Sequence, residues 1–169
     1  MWDLLRRGEF DGLATGVYVP RRDTDSRMAQ LAGGRLFPGD HSPAVFDVEE
    51  TAGRYRIAAR STDGTMSVRV NAHDADLLPS GSIFGDLASA SRFFHGDATG
   101  HSPSRHRTAF DAMRLDVEEW KVTPLACDEV QSGFFEDRHA FPDGSVVFDH
   151  ALLMRRAQAR WTPQKRIAA

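Results

Sequence analysis

The stretch AVFDVEETAGRYRIAARSTDGTMSVRVN (44–71) decides the fold. Ala44, Phe46 and Val48 alternate with Val45, Asp47 and Glu49. After Ala52-Gly53, Tyr55, Ile57 and Ala59 alternate with Arg54, Arg56 and Arg60. After Asp63-Gly64, Met66, Val68 and Val70 alternate with Ser67, Arg69 and Asn71. Alternation of period two with short Gly-containing turns predicts three antiparallel strands in a meander with one apolar face. Asp47, Glu49 and the arginines share the other face. It reads as cross-strand charge pairing in solvent, in preference to the wall of a polar pocket.

On the N-terminal side, Val17–Val19 is a short strand ended by Pro20. Asp23, Thr24 or Asp25 is positioned to cap a short helix carrying Met28, Leu31 and Ala32, and Gly33-Gly34 would end it. An irregular loop, RLFPGDHSP (35–43), follows. On the C-terminal side come a polar loop (73–82), a helix over Phe84–Phe94 closed by Gly96, and a polar stretch (97–110). Strands are read over Met113–Pro124 and Leu125–Gly133, then a turn at FPDGS (141–145) and a last strand over Val146–Arg155. The expected fold class is α+β, mostly antiparallel β, in a single domain over 16–161. Residues 1–15 read as a short N-terminal remnant and 162–169 as a flexible tail.

Composition narrows the function. The chain has 169 residues, 41% hydrophobic and 27% charged, which suits one domain with its own core. A net charge of −3 with interspersed signs, as in RRDTD (21–25), argues against nucleic acid as a partner. No apolar run approaches the roughly 18 residues of a membrane span. The stretch MWDLLRRGEFDG (1–12) has no apolar core of a signal peptide. Cys127 is the single cysteine, so no internal disulfide forms. These features read as a cytoplasmic protein with no membrane partner. Lysine occurs only at Lys121 and Lys165. Arginine stays protonated, so imine chemistry would need one of these two or the N-terminal amine.

Two longer segments carry a resemblance. They are GVYVPRRDTDSRMAQLAGGRLFPGDH (16–41) and WKVTPLACDEVQSGFFEDRHAFPDGSVVFDHALLMR (120–155), joined by a similar middle, ADLLPSGSIFGDLASASRFF (75–94). Together they resemble the YqjF-like family of bacterial proteins, placed in the acetoacetate decarboxylase-like fold. The resemblance covers roughly 14–161. It implies a barrel or cone with a small-molecule pocket. Members of the family carry a longer part before the position of Gly16, so the chain reads as N-terminally short and lacking those strands. An open sheet edge would follow, and a homodimer through that edge is one way to cover it.

In acetoacetate decarboxylases a Gly-Arg turn leads to a proline and two adjacent lysines, one of which forms the imine. The similar turn here runs from Gly34-Arg35 to Ser42-Pro43, and the lysine pair falls near Ser42-Pro43. Imine-forming decarboxylation is therefore not expected. Lys121 alternates with Trp120 and Val122 and reads as solvated.

Arg35, Asp40 and His41 form the best local constellation, on a Pro/Gly loop. Arg35 can clamp a carboxylate, Asp40 can orient a histidine, and His41 is the one candidate acid or base. These three are the candidate ligand-binding residues. Arg21-Arg22-Asp23-Thr24-Asp25 reads as capping and salt bridging rather than as an anion site. His95, His101 and His106 have no ligand spacing, and no metal or nucleotide cofactor is expected. Trp120, Phe134, Phe135, Phe148 and Trp161 read as core or pocket lining. The favoured function is a small-molecule binder, its ligand anionic if Arg35 is the clamp. The alternatives are an enzyme using His41 on a small oxo acid, and an interaction protein pairing through an open sheet edge.

Overall fold

A computed structural model describes residues 17–32, 41–96, 99–104 and 109–168. Its strands are β1 (Val17–Tyr18), β2 (Arg22–Thr24), β3 (His41–Thr51), β4 (Arg54–Ser61), β5 (Ser67–Asp74), β6 (Thr99–Pro103), β7 (Ala109–Val117), β8 (Val122–Ser132), β9 (Ala151–Met154) and β10 (Ala159–Ala168). Two helices accompany them, α1 (Arg27–Ala32) and α2 (Leu87–Gly96). The described strands form two mostly antiparallel sheets, with few helices. Contacts divide the chain into two compact units.

One unit comprises 43–91 and 121–155. Its strands run in the order β3-β4-β5-β8-β9, all neighbours antiparallel. The meander follows the alternation: Val48, Ile57, Val70 and Val130 stand opposite one another across four strands on the apolar face. Farther along that face Tyr55, Ala72 and Leu125 are buried, packed by Val70, Cys127, Ala151 and Leu153. Burial pushes the Cys127 thiol pKa up, helped by the Asp128 carboxylate. At the same end Arg155 Nη2 donates to the Tyr55 hydroxyl oxygen at 2.7 Å, and that hydroxyl donates to Asp74 at 2.7 Å. Arg155 also pairs with Glu50.

The sequence expects a last strand over Val146–Arg155, but only Ala151–Met154 is strand. The side chain of Asp149 explains the loss. It accepts from Ser82 Oγ at 2.8 Å, from the Ile83 amide at 3.0 Å and from His150 Nδ1 at 2.5 Å, tying the segment to a loop instead of a ladder. These donors hold the Asp149 carboxyl below its ordinary pKa, His150 most of all. Phe134 and Phe135, read as core or pocket lining, are exposed and cluster with Phe141 at ring separations of 5.2–5.3 Å, and Phe135 lines a surface recess with Phe141. Phe148 is exposed as well.

The other unit holds the described residues up to Ser42, 92–120 and those from Arg156. Its sheet runs β1-β6-β7-β10, with β1 parallel to β6 and the other pairs antiparallel. β6 lies inside the stretch read as a polar loop. The expected strand over 113–124 is instead β7 up to Val117, a break, and β8 from Val122. The expected tail 162–169 is β10 through residue 168, paired with β7. Its pattern escapes a period-two reading because it is an edge strand. It carries Pro163, Lys165 and Arg166 and a register shift between Gln164 and Ile167, features that edges tolerate and that oppose strand addition. Trp161 on this strand is half-exposed, and Trp120 stacks with His95 at 5.1 Å. The cap of α1 is Ser26, whose Oγ accepts from the Ala29 amide at 3.3 Å, rather than Asp23, Thr24 or Asp25. Residues 1–15 lie outside the described residues.

Candidate ligand-binding site

Strand register lays out the polar face of the meander as rows of side chains. Glu49, Arg56, Asn71 and Glu129 form one row. Arg56 pairs with Glu49, its Nε donating at 3.1 Å, and Asn71 Nδ2 donates to Glu129 at 2.6 Å. Each charge in this row has its partner, and Glu49 raises the Arg56 pKa as a paired carboxylate must. This row bears out the charge-pairing reading.

The next rows differ. Asp47, Ala58, Arg69 and Gln131 stand in line, followed by Val45, Arg60 and Ser67. The methyl of Ala58 and the hydroxymethyl of Ser67 leave a recess between longer neighbours. The result is a cavity of about 430 Å³ whose polar wall is Asp47, Arg60, Arg69, Gln131 and Glu136. Among the described residues Arg60, Asp47 and Glu136 make no ion pair, and Arg69 reaches Glu129 only at 3.9 Å. Two guanidinium groups and two carboxylates thus face one recess with their hydrogen-bonding capacity uncommitted. That arrangement suits a ligand carrying both signs of charge, since each end meets its complement.

Arg35 and Asp40 lie outside the described residues. His41 opens β3, so it stands on a strand and not on the loop assigned from the Pro/Gly pattern; it is half-buried. Of the three expected residues, His41 alone lies among the described residues. Arg21 binds Asp23 at 2.7 Å, as expected of a salt bridge. His95 lies against Trp120 and His101 is buried on β6. No group of three metal-ligating side chains occurs among the described residues. Lys121 and Lys165 are both exposed and neither lines the cavity. No helix among the described residues is long and apolar enough to cross a membrane.

The sequence places Arg60 and Asp47 on the polar face and favours charge pairing in solvent over a pocket wall for them. The missed signal was the small residues between the charges. Ala58 and Ser67 interrupt a face otherwise built of long side chains, and a gap in side-chain length is a gap in space.

In comparisons with known proteins, no family model matches the chain, and no curated protein or solved structure matches it.

Proposed function

We propose that the protein binds a small organic molecule in the cavity over Ala58, with a carboxylate against Arg60 and a cationic or hydrogen-donating group toward Asp47 and Glu136. The observation that carries this reading is a 430 Å³ recess walled by Asp47, Arg60, Arg69 and Glu136, whose side chains make no hydrogen bond to one another or to other described residues. Binding would supply those partners, and the recess is large enough for a molecule of several heavy atoms. Neither lysine lines it, so a lysine imine has no part in this reading. The resemblance of residues 16–41 and 120–155 to YqjF-like proteins points the same way, to an acetoacetate decarboxylase-like fold used for holding a small molecule.

The test is an amide NMR titration with three probes: β-alanine, acetate and methylammonium. β-Alanine is expected to shift amides at 45, 58, 60 and 67 more than either single-charge probe, and Arg60→Ala to abolish the difference. Equal responses to all three probes, or an undiminished β-alanine response in R60A, would overturn the reading.

A further inference from the structure

The unit built on β1, β6, β7 and β10 holds a cation that the proposed function does not use. Arg22 lies on β2, half-buried, and its Nη2 donates to Ser102 Oγ at 3.1 Å. Ser102 is 2% exposed. The guanidinium carbon sits 5.8 Å from the centre of the Trp161 ring. Arg22 Nε is shut off from solvent and has no hydrogen-bond partner. Gly100 makes room for this packing. A Cβ there would lie 3.2 Å from Val19 Cγ2 and 3.9 Å from Arg22 Nη2.

A hydroxyl and an indole face solvate a guanidinium, but neither carries a negative charge. Burial lowers the Arg22 pKa, and no carboxylate among the described residues offsets it. The nearby acids among the described residues are spent. Asp23 binds Arg21 at 2.7 Å. Asp111 stands directly across from Ser102 and takes a hydrogen bond from Arg166 Nε at 2.6 Å. Counting charges around Ser102 among the described residues, the Asp111–Arg166 pair cancels and Arg22 is left over. A half-buried cation without a counter-charge bears part of the cost of desolvation, and an anion relieves it.

We infer that Arg22 and Ser102 form a second site, separate from the cavity over Ala58, that takes one organic carboxylate. The carboxylate pairs with the guanidinium, which the buried Ser102 hydroxyl holds in place. Its apolar body lies on Trp161, which is 49% exposed and offers aromatic surface beside the charge. The ligand class is a monoanion with an aromatic or similarly flat apolar body, because the local charge surplus is one and the adjoining surface is an indole.

The experiment is a thermal and calorimetric titration with benzoate, against benzyl alcohol as the uncharged analogue, at constant ionic strength set with chloride. Benzoate is expected to raise Tm and benzyl alcohol to leave it unchanged. Arg22→Met keeps the stem and removes the charge. It should weaken benzoate at least tenfold while leaving the unliganded Tm equal to or above that of the wild type, since it removes an uncompensated charge. Should R22M fail to fold, Arg22→Lys and Ser102→Ala carry the test, each expected to weaken benzoate several-fold. R60A should retain the full benzoate response, which separates this site from the one over Ala58. A benzoate response unchanged in R22M, or in both R22K and S102A, or equal responses to benzoate and benzyl alcohol in the wild type, would overturn the inference.

Discussion

Two neighbouring rows on one face of the meander carry the same kinds of residue and behave differently. In the row of Glu49, Arg56, Asn71 and Glu129, each charge meets its complement across the strands. Two residues along, Asp47 faces Ala58 where Glu49 faced Arg56. The alanine supplies no partner, Arg60 and Arg69 stand to either side, and a cavity opens. The lesson concerns length as well as charge. Pairing closes a polar surface only if the side chain opposite is long enough to reach, and one short residue turns a solvated charge ladder into a recess.

The strongest way to break the comparison is at the end of the sheet beyond the paired row. Ala52 and Gly53 form the β3–β4 turn, and Gly53 has φ of 73°. A Cβ at Gly53 would lie 2.6 Å from Asp74 Oδ2, the residue that accepts from Tyr55. Gly53→Ala combines an unfavourable backbone with a clash. It should destabilise by about 1–3 kcal/mol in urea unfolding. A change within about 0.5 kcal/mol would mean that this end is not locked.

Next in size is the cavity itself. Ala58→Leu fills the recess without touching a charge. If the empty space is what distinguishes the two rows, β-alanine binding falls at least tenfold. Stability should stay within about 0.5 kcal/mol, as for a half-exposed site with room to spare. Binding that survives in A58L would place the ligand elsewhere and dissolve the contrast between the rows.

A smaller effect follows from the Tyr55 hydroxyl. Its hydrogen bond to Asp74 raises its pKa, as does burial, against a lowering contribution from Arg155. The neutral phenol is therefore favoured in the folded state. Stability from this group is fully present below the unfolded tyrosine value of about 10, and is lost as pH rises through the higher folded value. Wild type should lose Tm above about pH 10 more steeply than Tyr55→Phe. Parallel curves would show that the hydroxyl contributes nothing to the closed end.

How much of this was readable in the chain varies with the element. The meander was legible because period two ran unbroken from Ala44 to Asn71 and one face was apolar. β10 was not, because an edge strand accepts Pro163, Lys165 and Arg166, and these read as a tail. The last strand was overdrawn because Asp149 spends its oxygens on Ser82, Ile83 and His150, a long-range choice that no local pattern announces. For the site, the charges on the polar face were visible, and their partners were not. Whether Arg56 or Arg60 finds an acid depends on register across β3, β4 and β5, which the sequence implies only once the turns are fixed.

Those turns offer the finest test. Both central residues of the β3–β4 hairpin have positive φ, 49° at Ala52 and 73° at Gly53. Such turns match the twist of the strands they join and favour Asn-Gly. Alanine holds this conformation against the contact between its Cβ and the backbone. Ala52→Asn should relieve that strain and stabilise by about 0.5 kcal/mol. Register at the Thr51↔Arg54 closing pair sets register for both rows beyond it. A better turn therefore strengthens the Glu49–Arg56 pairing and leaves the recess over Ala58 as open as before. The expected result is a small rise in the urea midpoint with an unchanged β-alanine titration. A gain in stability that came with lost binding would mean that the recess depends on a strained turn, and that the two rows are coupled rather than merely adjacent.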